Sequence, residues 1–264
     1  MVTIIAHRGA RSLAPENTLA AARKAHALGA DLWETDVAVT ADDQLVLMHD
    51  DSMIRTTNVA ERFPERIPAA FSTYNLAEIR LLDAGSWFER DDPFGQVAAG
   101  AISEEELANY IGAKVPTLRE AFELTLELEW FLNLELKTQP APKADFDVVS
   151  AVLALADEVG IGPENLLFSS AKLPWLKTLK LHRPEFEVQA ILGLFPEDPM
   201  DFSDPFFYTF NPFHSRLSPD QIKQQVMRGL KLNPFTVNDD ELIADYINIG
   251  VAGLITDFPQ NIPR

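Results

Sequence analysis

The sequence predicts an α/β fold, a (β/α)8 TIM barrel with a small inserted subdomain after the second strand. Three observations carry that expectation. Strand-like apolar runs alternate with helix-like stretches, which implies a parallel sheet. Eight main strands can be counted, starting near Val2, Leu32, Phe131, Asn165, Phe186, Phe206, Leu230 and Gly253. Eight such units in about 250 residues suit a closed barrel. An open doubly wound sheet is the rival, but no Gly-x-Gly-x-x-Gly follows the first strand, which weakens its nucleotide-binding form.

Taken in order, Val2 to Ala6 is a short apolar run ending at His7-Arg8-Gly9, as expected of a buried strand. A helix follows from about Thr18 to Leu28, with Asn17 as its N-cap and Gly29 as its stop. Leu32 to Val39 is the second strand, Asp42-Asp43 a turn, and Gln44 to Met48 a short extended return ending at His49. From Asp50 to about Pro116 the periodicity weakens. Short helical pieces, Leu76 to Leu82 and Glu104 to Ile111, lie there among prolines and aromatics, and so long an irregular stretch reads as a functional insertion. Phe63, Phe71, Trp87, Phe88 and Phe94 predict a small core within it.

Regular alternation resumes after Pro116. Thr117 caps a helix from Leu118 to Glu127, and strand Phe131 to Leu136 follows. Helix Asp145 to Glu158, ended by Gly160, leads to strand Asn165 to Ser169; Pro174 suits the first turn of the next helix. Strands fit Phe186 to Leu192, Phe206 to Phe210, Leu230 to Val237 and Gly253 to Thr256, with the last helices starting near Ser218 and Asn238, both good N-caps. No internal repeat is visible, so residues 1–264 read as one domain with an insertion at about 50–116.

Composition narrows the function. The net charge of −18 disfavours nucleic acid and anionic membrane surfaces as partners. Hydrophobic content of 47% is enough for a sizeable core, and the lack of cysteine removes disulfides, thiolate metal sites and cysteine nucleophiles. No uncharged apolar run approaches the ~18 residues of a membrane span, and the first residues lack a secretory signal pattern. The expectation is an acidic, soluble, cytoplasmic protein without stable membrane association. Nothing in the pattern fixes an oligomeric state.

Barrel active sites lie at the carboxyl ends of the strands. The first strand ends in His7 and Arg8; the second carries Glu34 and Asp36, and its return ends in His49; the third carries Glu135 and Lys137. Strand residues at i and i+2 share a face, so each charged pair points one way. Singly, these are ordinary features: a solvated Glu-x-Asp, an exposed Glu-x-Lys pair, a surface histidine. Coinciding at three strand ends, they predict a site. Converging carboxylates repel unless a cation joins them, and oxygen ligands favour Mg²⁺ or Ca²⁺ over zinc. Glu16 and Asn17 are candidates to support these residues from behind. His214 follows the sixth strand at the same rim, whereas His26 and His182 read as solvated.

The segments His7-Arg8-Gly9, Pro15-Glu16-Asn17-Thr18, Glu34-Thr35-Asp36-Val37, Thr40 with Asp42, and His49-Asp50 resemble the glycerophosphodiester phosphodiesterase family. The likeness continues through Arg55-Thr56-Thr57-Asn58, Leu82 to Trp87, Val115 to Leu118 and Leu134-Glu135-Leu136-Lys137. It ends at Thr236-Val237-Asn238 and Ile255 to Pro259, so it spans nearly the whole chain. The resemblance implies a barrel with an insertion after the second strand, and one divalent cation held by Glu34, Asp36 and Glu135. It implies His7 and His49 as the acid–base pair and Arg8 and Lys137 as phosphate contacts. The implied reaction is hydrolysis of a small-molecule glycerophosphodiester to sn-glycerol 3-phosphate and an alcohol.

Two positions depart from the family pattern. Ala171 follows Ser169-Ser170 where phenylalanine is common, and Phe235 precedes Thr236 where tryptophan is common. Both bear on the leaving alcohol rather than on the chemistry. A lysophospholipase D-like lipid phosphodiesterase and an idle phosphodiester-binding barrel are the alternatives; glycoside hydrolysis would leave Lys137 and the histidines without work. Imidazole, with its reference pKa near 6.5, suits both proton acceptance and donation at neutral pH.

Overall fold

Eight consecutive buried residues, Leu32–Val39, form the strand about which the sheet is organised. In the computed structural model, which describes residues 2–68 and 70–263, this is β2. Met1, Ala69 and Arg264, which the expected 1–264 span and its insertion include, lie outside the described residues. The other strands are β1 (Thr3–Ala6), β3 (Leu45–Leu47), β4 (Leu132–Leu136), β5 (Leu166–Ser170), β6 (Val188–Leu192), β7 (Thr209–Pro212), β8 (Lys231–Leu232) and β9 (Gly253–Thr256). All pairings are parallel in the order β8-β7-β6-β5-β4-β2-β1-β9, except that β3 pairs antiparallel with β2. Three backbone hydrogen bonds cross the remaining seam: Ala252 N–H to Leu232 O (2.9 Å), Ile255 N–H to Pro234 O (3.1 Å) and Val237 N–H to Ile255 O (2.9 Å). The result is a nearly closed eight-stranded parallel barrel, the predicted TIM class.

Period-2 alternation divides each strand between two environments. Trp33, Val37 and Val39 of β2 face outward into the main core, with Phe122, Leu134 and Phe168. Leu32 faces inward and meets Ile5, Leu167 and Ile255 in the barrel interior. Interior positions nearer the carboxyl rim are polar: Asn233 Nδ2 donates to Gln189 Oε1 (3.2 Å) and to Asn211 Oδ1 (3.0 Å). The barrel therefore changes from an apolar plug to a polar layer along its axis.

Helices α1 (Leu19–Ala27), α6 (Leu118–Glu127), α7 (Val148–Val159), α8 (Leu173–His182), α9 (Pro219–Met227) and α10 (Asp240–Ile249) surround the sheet. Thr117 caps α6 in a capping box with Glu120, as its spacing predicts. Four shorter helices occupy the stretch between β3 and α6: α2 (Val59–Arg62), α3 (Leu76–Ile79), α4 (Ser86–Asp91) and α5 (Glu104–Tyr110). The aromatics there do not build a single core. Phe71 joins Tyr74, Ile79 and Leu82 against Ala38 and Val46 of the barrel, whereas Trp87 and Phe88 join Leu107 and Tyr110 against Ala21 of α1. Each half is packed onto the barrel separately.

Four local expectations are corrected. Thr18, not Asn17, caps α1, its Oγ1 accepting from Ala21 N–H at 3.2 Å. Asp239, not Asn238, caps α10, accepting from Leu242 N–H at 2.9 Å. In both cases the displaced asparagine is engaged at the barrel rim. The aromatic run 206–208 is not strand: Asp204 turns the chain by accepting from Phe206 N–H (3.1 Å), so β7 begins at Thr209. Strand 230–237 shrinks to β8 because Pro234 has no N–H to give a ladder.

Candidate active site

β1 delivers His7 and Arg8 to the carboxyl rim, and Gly9 turns the chain immediately afterwards. Gly9 has φ +83°, and a Cβ there would lie 2.6 Å from the carbonyl carbon of Ala21, so only glycine fits against α1. Arg8 itself adopts φ +55° and Asn17 φ +53°, left-handed conformations that the surrounding contacts hold in place. Arg8 N–H donates to Glu34 Oε2 (3.0 Å), and its Nη1 donates to Glu16 Oε1 (2.8 Å).

Register assembles the carboxylates. Asp36 of β2 lies beside Glu135 of β4, and Glu34 beside Asn133, in the parallel ladder. One ligand oxygen from each of Glu34, Asp36 and Glu135 lies within 4.8 Å of the others. Burial, then repulsion from Asp36 and Glu135, raises Glu34 well above the ordinary carboxylate range. Burial and Asp36 push Glu135 up to about 7. Asp36 is also desolvated, but Lys137, His49 and Arg8 outweigh that and hold it low. Its Oδ2 accepts from Asn17 Nδ2 (3.0 Å) and lies 3.5 Å from Arg8 Nε; its buried Oδ1 accepts no hydrogen bond, with Lys137 Nζ 3.3 Å away. A buried oxygen that accepts no hydrogen bond and two carboxyls driven toward protonation describe a cluster that fits a hard divalent cation.

Each histidine is held by a carboxylate. His7 Nδ1 lies 2.7 Å from Asp257 Oδ1, and His49 Nδ1 lies 2.7 Å from Asp50 Oδ1. Burial, reinforced by Arg8, lowers His7 to about 4 despite Asp257, so its imidazole is neutral at pH 7. Asp257 in turn accepts from Asn238 Nδ2 at 2.8 Å, which is why Asn238 is not free to cap α10. Lys137 Nζ donates to His49 O at 3.0 Å, tying the end of β4 to the loop after β3.

Glu16 and Asn17, expected behind the site, both touch it. Asn17 positions Asp36 while accepting from Thr35 Oγ1 (2.6 Å). Glu16 meets three guanidinium groups, those of Arg8, Arg11 and Arg55, at 2.7 to 2.9 Å. Burial works against its ionisation, but the hydrogen bonds from Arg55 and the charges of the three arginines hold it far below the usual carboxylate range. Phe94 lies against Phe258 and under the Arg11 guanidinium, 5.2 Å from its ring centre. None of the five insertion aromatics is among the residues lining the central cavity.

That cavity, about 110 Å³, is lined by His7, Arg8, Glu34, His49 and Glu135, with Ile191, Phe213, Phe235 and Ile255 as its apolar wall. His214 is not among the lining residues; it packs edge-on against Phe213 and Tyr246. His26 and His182 are exposed, as expected. Sequence reasoning gave no role to Asp257, Asp50, Arg11 or Arg55. Asp50, Arg55 and Asp257 stand inside the recognised segments, so a signal was present; Arg11 has none. Asn133 and the Ser169 hydroxyl, both buried in the cavity wall without hydrogen-bond partners, were equally silent.

A barrel that gathers imidazoles and cations around a carboxylate cluster at this rim is equipped for phosphoryl chemistry, and the class it defines is that of the barrel phosphodiesterases. The chain belongs to the glycerophosphoryl diester phosphodiesterase family, whose model matches residues 7–261. A glycerophosphodiester phosphodiesterase of Caldanaerobacter subterraneus subsp. tengcongensis is 30% identical over 262 residues, covering 98% of this chain and 95% of the relative. An Oleispira antarctica phosphodiesterase solved with the product sn-glycerol-3-phosphate has a TM-score of 0.78 at 28% identity, covering 98% and 94% of the two chains. A glycerophosphodiester phosphodiesterase from Agrobacterium tumefaciens has a TM-score of 0.72 at 26% identity, covering 99% of each. Among the described residues, no helix is long and apolar enough to cross a membrane.

Proposed function

We propose that this protein hydrolyses glycerophosphodiesters to sn-glycerol 3-phosphate and an alcohol, using a divalent cation and two histidines. The observation that carries the reading is the convergence of His7, His49, Arg8, Glu34 and Glu135 on one cavity. Glu34, Asp36 and Glu135 would hold Mg²⁺ or Ca²⁺. When bound, the cation neutralises charge on the non-bridging phosphate oxygens. Arg8 and Lys137 add fixed positive charge at the same oxygens, in a site where preorganised charge costs no reorganisation.

The carboxylate on each Nδ1 supports proton work at both Nε2 atoms, and the lowered pKa of His7 favours it as the acceptor. Asp257 fixes the Nδ1–H tautomer of neutral His7, which leaves Nε2 as a proton acceptor for the attacking hydroxyl. Asp50 likewise orients His49, which holds the proton that the departing alkoxide oxygen requires. His7 is the base and His49 the acid in this scheme. Asn17 aligns Asp36, and Glu16 keeps Arg8 aimed across the cavity. Residues 50–116 are read as one insertion in a single domain, contributing Asp50 and Arg55 to the rim. The acidic composition supports a cytoplasmic setting, which cell fractionation checks.

Chelator treatment is the test. Release of sn-glycerol 3-phosphate should stop on chelation and return with Mg²⁺ or Ca²⁺; release that survives exhaustive chelation contradicts the metal-dependent scheme.

A further inference from the structure

A second groove, about 490 Å³, opens beside the central cavity and shares His49, Glu135 and Leu194 with it. A phosphodiester has two arms. The 110 Å³ cavity has room for only a small polyol, whereas the groove is in the range that accommodates a whole small-molecule ligand. A phosphate placed at the shared wall would extend one arm into each space. On the proposed reading, the arm in the groove is the leaving alcohol.

The groove is chemically specific. Its walls carry Asp50, Asp51, Lys137 and Lys172, together with Thr138, Ala171 and the half-exposed ring of Phe195. Asp50 is neutralised by Arg55, and Lys137 by Asp36. Asp51 and Lys172 are not: neither side chain has a hydrogen-bond or ion-pair partner among the described residues, and they do not pair with each other. One free carboxylate and one free ammonium thus face the same space. Ala171, next to Lys172 in the chain, adds only a methyl group to the lining of the same groove.

We propose that this groove is the leaving-group subsite and that it selects an alcohol carrying both an ammonium and a carboxylate, the chemistry of a serine headgroup, with Asp51 receiving the ammonium and Lys172 the carboxylate. The inference rests on the glycerophosphodiesterase reading.

The test compares kcat/KM of the Mg²⁺- or Ca²⁺-supplemented full chain on glycerophosphoserine, glycerophosphoethanolamine, glycerophosphoglycerol and the glycerol methyl phosphate diester. The serine diester should rank first. Lys172→Gln should lower the serine-to-ethanolamine ratio about fivefold, and Asp51→Asn the ethanolamine-to-glycerol ratio about fivefold, the upper end for exposed charge pairs. Ala171→Phe should cut the serine diester relative to the methyl diester, whose small arm also reports that the variant is folded. Ratios unchanged in all three variants, with sn-glycerol 3-phosphate still released, overturn the subsite alone. No release from any diester overturns the underlying function and the subsite with it.

Discussion

Arg55 and Glu16, separated by 39 residues, form a two-pronged ion pair with N–O distances of 2.9 and 2.7 Å. Arg55 also donates from Nε to Asp50 Oδ2 at 2.6 Å, and Asp50 holds His49. On the other side, Arg11 Nη2 meets Glu16 at 2.9 Å and its Nη1 lies 3.5 Å from Asp257, which holds His7. The two histidines are therefore the ends of one chain of hydrogen bonds and ion pairs, with buried Glu16 at its centre.

Glu16→Gln tests the centre of that chain. The substitution leaves buried Arg8 and partly buried Arg11 beside a neutral amide, and breaking a buried pair in this way costs about 3–5 kcal/mol. Chemical denaturation should show a loss of that order together with reduced turnover. Unchanged stability would mean that Glu16 is not what balances the arginines.

Removing either imidazole removes one proton transfer. His7→Ala and His49→Ala should each lower kcat roughly 10²- to 10⁴-fold in steady-state assays. Asp257→Asn, which leaves the ring in place but lets its tautomer change, should approach the same loss. Full activity in either histidine variant would reject the acid–base pair.

The depressed His7 pKa sets a pH signature. Folded His7 titrates near 4 and the unfolded side chain near 6.5, so between these values the unfolded chain binds more protons. The stability contributed by neutral His7 is complete above about pH 6.5 and is lost as pH falls toward 4. The same shift moves the acidic limb of kcat/KM well below the ordinary imidazole range. With the cation kept saturating at every pH, a limb at pH 6.5 or higher would show that His7 is not the base.

Glu34 and Glu135 make cation affinity pH-dependent. With Glu135 raised to about 7, a cation must displace a proton near neutral pH, so binding should tighten as pH rises through 7 and release protons on titration. Calorimetry in buffers of different ionisation enthalpy measures that release. Glu135→Gln should weaken binding and reduce the proton count, and an unaltered titration would remove Glu135 from the ligand set.

The barrel was legible because its signals are local. Leu32–Val39 and Gly253–Thr256 match their predicted bounds, as apolar runs of strand length flanked by turn residues should. Glu34, Asp36, Glu135 and Lys137 were legible because period-2 spacing and strand-end position are written in the sequence. The misread caps have a different cause. Asn17 and Asn238 are both good caps by residue type, yet each is drawn to a carboxylate, Asp36 or Asp257, that is distant in sequence. Arg11 was silent because its contacts outside its own loop, Asp257 after β9 and Phe94 of the insertion, are distant in sequence. Local pattern does not encode contacts of that range.

The most direct measurement is sn-glycerol 3-phosphate release from a panel of glycerophosphodiesters by cation-loaded wild-type protein, alongside His7→Ala and His49→Ala. The account predicts release by the wild type and a loss of at least about 10²-fold in each variant. No release from any diester, or equal release by the variants, would contradict it.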